Sequence, residues 1–316
     1  MIKVTLIAGG VGGAKLAEGL AAAKEISLSI IGNIADDDEF HGLWVSPDID
    51  TMLYTLSEKI NRKQGWGVKN DDYKSLNVLK TLGSDTWMSL GDKDIGLHIY
   101  RTQRIKNGDS RSLVTSDIAR AFDIKPRIIL PTDDIVKTKI KTPNGWLSFQ
   151  EYFVKERCKP EVKGIKFSGI KQSRPSPKAL KALKEADLII IAPSNPLVSI
   201  APILGVPEVS ETIKRSNGIK IAISPLIDGK AVKGPAETMM RNRNLRPDSL
   251  GIAEYYSDLI DCIMIDKKDF KLLKSIEAIG LKVISTNTLM VNKLSKIRVA
   301  SKVIFETMKI KTLYET

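Results

Sequence analysis

Cysteine and histidine are scarce in this chain of 316 residues. The two cysteines, Cys158 and Cys262, lie far apart and form no Cys-x-x-Cys pair, and only two histidines are present. These numbers exclude a disulfide-stapled scaffold, and they leave too few side chains for a zinc site of cysteine and histidine or for a catalytic triad. We therefore expect free thiols in a reducing compartment.

Long apolar runs are also lacking, although 42% of the residues are hydrophobic. No run reaches the roughly 20 residues that a helix needs to cross a bilayer. The apolar stretch after Lys3 is interrupted by glycine from residue 9 onward, so it does not have the pattern of a secretory signal. We expect a cytoplasmic protein with no membrane partner.

Acidic residues are outnumbered, because 49 Lys and Arg stand against 37 Asp and Glu, a net charge of +12. Nucleic-acid binding has to be considered for such a balance, but the densest basic patch, residues 241–246, is short. Aromatic and basic residues are not interleaved as in a single-strand binder. Small polyanions such as nucleotides or phosphoesters fit the charge equally well. We predict no nucleic-acid partner and keep a basic regulator that binds nucleotides or nucleic acid as an alternative.

Glycine is concentrated at the start of the chain, at the end of a predicted strand and before a predicted helix. The four glycines are Gly9, Gly10, Gly12 and Gly13, and Lys15 follows them. Glycine lets the backbone approach an anion closely, and the following helix directs free N–H groups at the same point. The spacing matches neither the dinucleotide fingerprint nor the P-loop. This segment predicts a phosphate site, and a tight turn without a ligand is the alternative.

Strands and helices alternate along much of the chain. A strand at 3–8, a helix at 14–24 and a strand at 27–32 form the β-α-β unit that builds parallel sheets. Further strands are predicted at 127–131, 188–193, 219–224, 262–265 and 282–285. Further helices are predicted at 176–185, 209–216, 250–259 and 268–279. The pattern predicts an α/β fold, a Rossmann-like and mostly parallel sheet with helices on both faces.

Two stretches interrupt this alternation. Residues 51–125 predict a helical insertion, within which Gly-Asp-Lys-Asp at 91–94 is typical of a turn with solvated charges. Residues 137–172 have alternating apolar positions and predict a small antiparallel β insertion. We expect a single α/β domain over residues 1–316, with its core at 1–50, 125–136 and 176–300.

Carboxylates cluster after the second predicted strand. Asp36, Asp37 and Asp38 follow that strand, and Asp48 and Asp50 precede a helix predicted at 52–59. Because Mg²⁺ prefers oxygen ligands and bridges to phosphates, we predict a magnesium ion held by Asp50, Asp48 and Asp37. Asp50 is the strongest candidate. The alternative is that Asp50 or Thr51 caps the helix.

Two further loops are predicted at the carboxyl edge of the sheet, where ligands of such folds bind. Ser194 and Asn195 lie between two prolines after the most apolar strand, and Gly234 and Pro235 form a similar loop. These groups predict a second polar wall opposite the glycine segment. A plain proline-bounded turn is the alternative.

Taken together, the motifs resemble those of the 2-phospho-L-lactate transferase family, and they cover almost the whole chain in order. They are Gly-Gly-Val-Gly-Gly-Ala-Lys-Leu at 9–16, Ser-Pro-Asp-Ile-Asp-Thr at 46–51, Trp-Gly at 66–67 with Asn-Asp at 70–71, Leu-Gly-Asp-Lys-Asp at 90–94 with His98, Pro-Ser-Asn-Pro at 193–196, Ser-Pro at 224–225, Gly-Pro-Ala at 234–236 and Gly-Ile-Ala-Glu-Tyr-Tyr at 251–256. The resemblance implies a magnesium-dependent, homodimeric transferase. Its donor would be a guanylyl-activated phospholactate, its acceptor 7,8-didemethyl-8-hydroxy-5-deazariboflavin, and its released product GMP.

The resemblance also implies roles for particular residues. Asp50 and Ser89 would contact the deazaflavin, and Asp50 would act in catalysis by holding Mg²⁺ or polarising the attacking hydroxyl. Many relatives have a basic or amide residue where this chain has Ser89, so a contact from Ser89 has to be closer or bridged by water. The donor site would be formed by Gly9, Gly10, Gly12, Gly13, Lys15, Ser194, Asn195, Pro196, Gly234 and Pro235.

Some questions stay open at this point. Lactate, enolpyruvate and glycerate derivatives differ by one or two atoms, and the sequence does not identify which of them is carried. A phosphoester or sugar-nucleotide enzyme of the same superfamily that uses no deazaflavin is a further alternative.

Overall fold

A parallel sheet forms the centre of the molecule. The computed structural model describes the backbone of residues 1–315 and the side chains of residues 1–310. The strands are β1 (Ile2–Ala8), β2 (Ile26–Gly32), β3 (Asp38–Phe40), β4 (Leu43–Val45), β5 (Arg127–Ile129), β6 (Lys137–Thr142), β7 (Gly145–Ser148), β8 (Gly164–Ser168), β9 (Leu188–Ile191), β10 (Ile219–Ile223), β11 (Leu226–Ile227), β12 (Lys230–Ala231), β13 (Cys262–Asp266) and β14 (Lys282–Thr286). In the part of the chain that is described, seven of them pair in parallel in the order β14-β13-β10-β9-β1-β2-β5.

Helices cover both faces of this sheet. They are α1 (Gly10–Ala21), α2 (Pro47–Leu56), α3 (Lys74–Thr81), α4 (Asp92–Lys106), α5 (Arg111–Ala121), α6 (Pro177–Lys184), α7 (Ala201–Leu204), α8 (Val209–Arg215), α9 (Ala236–Asn242), α10 (Ser249–Tyr256), α11 (Leu273–Glu277) and α12 (Lys293–Glu315). Among the described residues, none of the helices combines the length and apolar character that a membrane crossing requires.

Alternation along the strands creates two apolar cores, one on each face. Leu6 of β1 packs in the core that contains α1, α2, α5 and α12, while its neighbour Ile7 packs in the core that contains α6, α8 and α10. Both side chains are fully buried, as expected where helices cover a parallel sheet on both sides. The predicted fold class, with its parallel sheet and two helical faces, is confirmed.

The two interrupting stretches have the predicted secondary structure. Helices α3, α4 and α5 lie within 51–125, and β6, β7 and β8 form an antiparallel sheet in the order β7-β6-β8 within 137–172. A separate antiparallel pair, β3 and β4, carries the chain from Asp38 to Val45. The boundaries of a single domain stay a prediction.

Three predicted local structures differ from those observed. Helix α1 begins at Gly10 rather than at residue 14, so the glycines form its first turn rather than a loop before it. Helix α2 begins at Pro47 rather than at residue 52, because proline fits the first helical position and has no N–H to leave unpaired. Asp50 and Thr51 therefore lie inside α2, and neither is its N-cap residue, which is Ser46. The Asp50 side chain does accept a hydrogen bond of 3.3 Å from the N–H of Ser46, so part of the capping alternative holds.

The third difference is the largest, since residues 92–106 form the long helix α4 where a turn was predicted at 91–94. Gly91 lies just before this helix, and Asp92 and Asp94 lie in its first turn. Carboxylates there are stabilised by the positive end of the helix dipole, so residues that are typical of a turn also suit a helix start.

Helix α1 is held tightly against the end of β9, and this contact requires glycine. A Cβ atom on Gly12 would lie 2.1 Å from the carbonyl oxygen of Pro193, which is backbone and cannot rotate away. We expect Gly12→Ala to lower the free energy of unfolding by about 1–3 kcal/mol, because the helix has to move off the strand. Urea denaturation followed by circular dichroism measures this change.

Gly96 provides the matched control, since it is exposed in α4 and a Cβ there would meet nothing within 4 Å. Gly96→Ala should leave stability unchanged or raise it by up to about 1 kcal/mol through helix propensity. Equal effects of the two substitutions would contradict the close approach at Gly12.

Candidate active site

A cavity of about 400 Å³ opens at the carboxyl edge of the sheet. The predicted site residues that line it are Gly9, Gly10, Gly12, Lys15, Asp48, Asp50, Ser89, Ser194, Asn195, Gly234 and Pro235. Segments that are distant in the sequence therefore meet around one space, as the ends of parallel strands require. Gly13, Pro196 and Asp37 are buried and are not among its lining residues.

The glycine segment and the loop after β9 are joined directly. The Ser194 hydroxyl donates a hydrogen bond of 2.6 Å to the carbonyl oxygen of Gly9. The backbone N–H of Gly10, at the start of α1, donates to the carboxylate of Asp48. Gly10 has a φ of +61°, a conformation that glycine adopts without strain. The helix start that was predicted to bind phosphate thus faces the cavity with an acidic side chain beside it.

Asn195 and Pro196 have structural contacts. The Asn195 side chain accepts a hydrogen bond of 3.0 Å from the N–H of Leu197 and so caps the π-helical segment Pro196–Ile200. Pro196 occupies the first position of that segment. Gly13 is packed against Ala8, where a Cβ would come within 2.7 Å of the Ala8 Cβ. Pro196 and Gly13 shape the wall of the cavity from behind.

Asp36 and Asp48 form a pair of carboxylates with one shared donor. The Asn33 side-chain amide donates to an oxygen of each, at 3.0 Å in both cases. Within the described residues neither carboxylate forms an ion pair, and Oδ1 of Asp36 is buried with no hydrogen-bond partner. Burial raises the pKa of Asp48 to about 6. Burial first, and then the charge of Asp48, raise the pKa of Asp36 well above its usual value.

Asp50 is in a different environment, because it is paired with a buried arginine. Arg101 of α4 contacts both carboxylate oxygens of Asp50, and its NH1 lies 3.0 Å from Oδ2. The ring of His98 lies beside both groups, with Nδ1 3.3 Å from NH1 of Arg101 and 3.8 Å from Oδ2 of Asp50. Asp50 and His98 both line the cavity. The helical insertion therefore supplies a part of the site.

Asp37 is held away from the cavity by its own partners. Its Oδ2 atom accepts hydrogen bonds from the Ser46 hydroxyl at 2.9 Å and from the Trp44 indole and Arg111 at 3.3 Å each. Burial raises its pKa to about 7, against the lowering effect of Arg111. These contacts connect β4 and the start of α2 to α5, which is a structural function.

Positive charge gathers beside the glycine helix. Lys15 is half-buried at the cavity, and its pKa is lowered by burial and by the nearby charges of Lys296 and Lys233. Lys233 lines the cavity as well, close enough for its charge to lower the pKa of Lys15, and its Nζ donates to the carbonyl oxygen of Gln64. Two lysines therefore lie near the first turn of α1, where an anion would bind.

One wall of the cavity is apolar and aromatic. Phe149 and Phe153 stack with their ring centres 5.4 Å apart, and Phe153 belongs to the π-helical segment Glu151–Lys155 of the β insertion. Trp66 and Met88 line the same cavity. The phenylalanines were not predicted as site residues, because alternation along 146–149 indicates a strand but not what its side chains face.

Mg²⁺ is the cofactor that the family resemblance implies, and the carboxylates differ in how well they suit it. Asp48 and Asp36 offer oxygens close together with no ion-pair partner among the described residues. Oδ1 of Asp36 and Oδ1 of Asp37 are both buried without a hydrogen-bond partner there, so this feature alone does not distinguish the two residues. The Asp50 carboxylate already has Arg101, and Asp37 has Arg111 and does not line the cavity. Of the three predicted ligands, Asp48 fits a divalent cation best.

A second group of possible ligands contains Asp50, Asp94 and His98, whose ligand atoms lie within 4.8 Å of one another. Arg101 already supplies a positive charge between two of them. Because arginine can only donate hydrogen bonds, Nδ1 of His98 is its acceptor and is not free for a metal, whereas Nε2 is buried without a hydrogen-bond partner among the described residues. The positive charge of Arg101 disfavours a cation beside it, so this group is better described as an ion pair than as a metal site.

A comparison with protein families identifies the family of the chain. The sequence model described as “2-phospho-L-lactate transferase CofD” matches residues 4–303, nearly the whole chain. The chain belongs to this family. The proposed resemblance is thereby confirmed, and membership of the 2-phospho-L-lactate transferase family makes the protein an enzyme, a phosphotransferase.

Individual relatives support the same assignment. The chain is similar to the 2-phospho-L-lactate transferase of Methanosarcina mazei, with 36% identity over 90% of this chain and 94% of that protein. It is 36% identical to the enzyme of the same name from Methanopyrus kandleri over 96% of this chain and 97% of that protein. It is 34% identical to the phosphoenolpyruvate transferase of Streptomyces griseus over 89% of this chain and 91% of that protein.

Solved structures support the fold. A Bacillus halodurans protein of the UPF0052 family has a TM-score of 0.63 and 16% identity, with 96% of this chain and 99% of that chain covered. At this identity the similarity shows a common architecture alone.

The raised pKa of Asp48 predicts a pH-dependent cost to stability. A carboxyl group with a pKa of about 6 in the folded protein holds its proton to higher pH than in the unfolded chain, so the free energy of unfolding falls as the pH rises from about 4 to above 6. Asp48→Asn removes this contribution. The difference in the free energy of unfolding, variant minus unsubstituted protein, should therefore be about 1 kcal/mol larger at pH 8 than at pH 4.5. Urea denaturation at both pH values in EDTA measures the difference, and parallel pH profiles would contradict it.

Proposed function

We propose that the enzyme transfers a 2-phospho-L-lactate group, or a closely related phospho-three-carbon acid, from a guanylyl-activated donor to the terminal ribityl hydroxyl of 7,8-didemethyl-8-hydroxy-5-deazariboflavin. GMP is the leaving group. The observation that carries the proposal is that one cavity has an anion-binding helix start with two lysines on one side and an aromatic wall on the other. The names of the relatives from Methanosarcina and Methanopyrus support the transferred group.

The donor fits the glycine side of the cavity. Its diphosphate would lie in front of the first turn of α1, between Lys15 and Lys233. The N–H groups of that turn and the two ammonium groups suit a group with several negative charges. Gly234 and Ser194 complete this side and leave room for the rest of the nucleotide.

A magnesium ion fits beside the same site, held by Asp48 with Asp36. When bound, it would supply positive charge that neutralises the diphosphate. Asn33 holds the two carboxylates in place through its shared amide.

The acceptor fits the opposite side. Its planar ring system would pack against Phe153, Phe149 and Trp66, since flat aromatic surfaces bury well against one another. Asp50 lines the same cavity and would meet the ribityl chain where it reaches the diphosphate. Ser89 is exposed at the same cavity and offers a hydroxyl for a direct or water-bridged contact.

The reaction is a substitution at phosphorus. The ribityl hydroxyl oxygen forms a bond to the phosphorus that carries lactate, and the bond from this phosphorus to the bridging oxygen breaks, so GMP leaves with that bonding pair. Asp50 accepts a hydrogen bond from the hydroxyl as the oxygen attacks, and the hydroxyl proton passes to solvent. Such reactions depend mainly on alignment and charge stabilisation, and the two walls of the cavity provide both.

The identity of the three-carbon acid can be tested directly. One relative is named for phosphoenolpyruvate and others for 2-phospho-L-lactate, and all cover about nine tenths of this chain or more. We expect mass spectrometry of the deazaflavin product to show a mass gain with Mg²⁺ and one of the guanylyl donors. No mass gain with any of the lactate, enolpyruvate and glycerate donors would refute the proposed function.

Asp50 is expected to be essential for turnover. Asp50→Asn keeps an oxygen that can accept from Arg101, so the fold should persist, but the negative charge beside the attacking hydroxyl is lost. We expect kcat to fall at least about 100-fold. Asp37→Asn is the matched control, because Asp37 is also buried and paired with an arginine but does not line the cavity. Full activity of Asp50→Asn would eliminate this assignment.

The magnesium site has a test that does not depend on activity. At pH 8, millimolar Mg²⁺ should raise the melting temperature of the unsubstituted protein by several degrees through binding to the folded state. Asp48→Asn should lose most of this shift, whereas Asp37→Asn should keep it. An equal shift in all three proteins would show that the ion binds elsewhere.

We further propose that the enzyme is a cytoplasmic homodimer. Cys158 and Cys262 are both free thiols, which suits a reducing compartment. The dimer is implied by the family resemblance, and light scattering at micromolar concentration tests it.

A further inference from the structure

Asp50 has little freedom to move in this structure. Arg101 is 3% exposed, and it contacts both oxygens of the Asp50 carboxylate with two nitrogens of one guanidinium group. Such a two-point contact fixes the plane of a carboxylate as well as its position. The backbone N–H of Ser46 donates to Oδ2 as well, at 3.3 Å.

His98 orients the arginine in turn. Its side chain is fully buried in α4, and its Nδ1 atom lies 3.3 Å from NH1 of Arg101. Because the guanidinium can only donate, Nδ1 has to be the unprotonated nitrogen, and the ring proton lies on Nε2. That nitrogen faces Oδ1 of Asp94 at 3.3 Å, and the same oxygen accepts a 2.6 Å hydrogen bond from the hydroxyl of Tyr54.

These contacts leave one oxygen of Asp50 able to accept a further hydrogen bond. Oδ2 accepts from Arg101 and from the Ser46 N–H, and Nδ1 of His98 lies 3.8 Å from it. Oδ1 contacts Arg101 alone among the described residues, so it keeps more capacity to accept a hydrogen bond. Asp50 is one of the residues that line the cavity, where a substrate hydroxyl would donate to Oδ1.

We propose that Arg101 and His98 are positioning residues that hold Asp50 as an acceptor for a hydroxyl group of the substrate rather than as a metal ligand. The inference rests on the proposed function and deepens it, since Asp50 was predicted either to hold Mg²⁺ or to polarise the hydroxyl. The positive charge of Arg101 against the carboxylate disfavours a divalent cation at the same oxygens. Asp48 and Asp36 have no such neighbour among the described residues and are the better place for the ion.

The chain contains a matched pair for comparison. Arg111 and Asp37 are also a buried arginine and aspartate on two different elements, with NH1 and Oδ2 3.3 Å apart. Asp37 is not among the lining residues of the cavity. A loss that reflects only a broken buried ion pair should therefore appear equally in both pairs.

The first experiment compares Arg101→Lys with Arg111→Lys. Lysine keeps the charge but offers one point of contact in place of two, so the carboxylate is held less firmly. We expect Arg101→Lys to lower kcat about 10- to 100-fold with little change in KM for the guanylyl donor, and Arg111→Lys to keep kcat within about threefold. Equal kcat losses in the two variants, or an unchanged kcat in Arg101→Lys, would overturn the inference.

The second experiment distinguishes a positioning histidine from a proton-transferring one and serves also if Arg101→Lys does not fold. In His98→Gln the side-chain oxygen can accept from Arg101 while the amide nitrogen can face Asp94, as Nε2 of the histidine does at 3.3 Å from Oδ1. In His98→Leu neither contact is possible. We expect His98→Gln to retain at least about tenfold more kcat than His98→Leu, and equal losses in both variants would contradict the positioning role.

Binding of the acceptor in EDTA gives a readout without turnover or metal. The intrinsic fluorescence of the deazaflavin should report binding to the unsubstituted protein, about tenfold weaker binding to Arg101→Lys, and unchanged binding to Arg111→Lys. Acceptor binding that needs Mg²⁺ and is insensitive to Arg101→Lys would show that Asp50 acts through the ion. If the unsubstituted protein neither binds nor modifies the deazaflavin, the proposed function fails, which is a different result from unequal behaviour of the variants.

Discussion

The close approach of helix α1 to the end of strand β9 is the constraint on which the site depends. With no side chain at Gly12, the first turn of the helix rests on the Pro193 carbonyl, and this brings Ser194 within hydrogen-bonding distance of Gly9. The glycines are therefore needed for close packing at the edge of the sheet as well as for the proposed anion site. This contact fixes the start of α1 and the loop after β9 relative to each other, and these two segments form the donor side of the cavity.

The fold could be predicted from the sequence because the patterns that indicate its strands and helices are local. Strands such as β1 and β9 are short apolar runs bounded by glycine, proline or aspartate, and the helices between them have regular apolar spacing. Helix α4 could not be predicted, since its start at Asp92 consists of residues that also suit a turn. Once that helix is known, the spacing of Asp94, His98 and Arg101 places all three on one face.

The site was predictable in its location but not in its charge pairing. The carboxyl edge of the sheet and the glycine segment are strong signals, and the loops that they indicate line one cavity. The partner of Asp50 lies 51 residues further on, and the donor shared by Asp36 and Asp48 is an asparagine that no motif marks. Which carboxylate is neutralised and which is free depends on these long-range contacts, so Asp37 and Asp48 could not be distinguished from their sequence positions.

The hydrogen bond between Ser194 and Gly9 spans 185 positions of the chain. Contacts of such long range form late in folding, because a large loop has to close before they stabilise anything. During synthesis, the glycine segment leaves the ribosome long before residues 193 and 194 exist to hold it. The wall proposed to bind the anion therefore cannot form until well over half of the protein has been made, and a fragment truncated before β9 would contain every glycine of the motif without this wall.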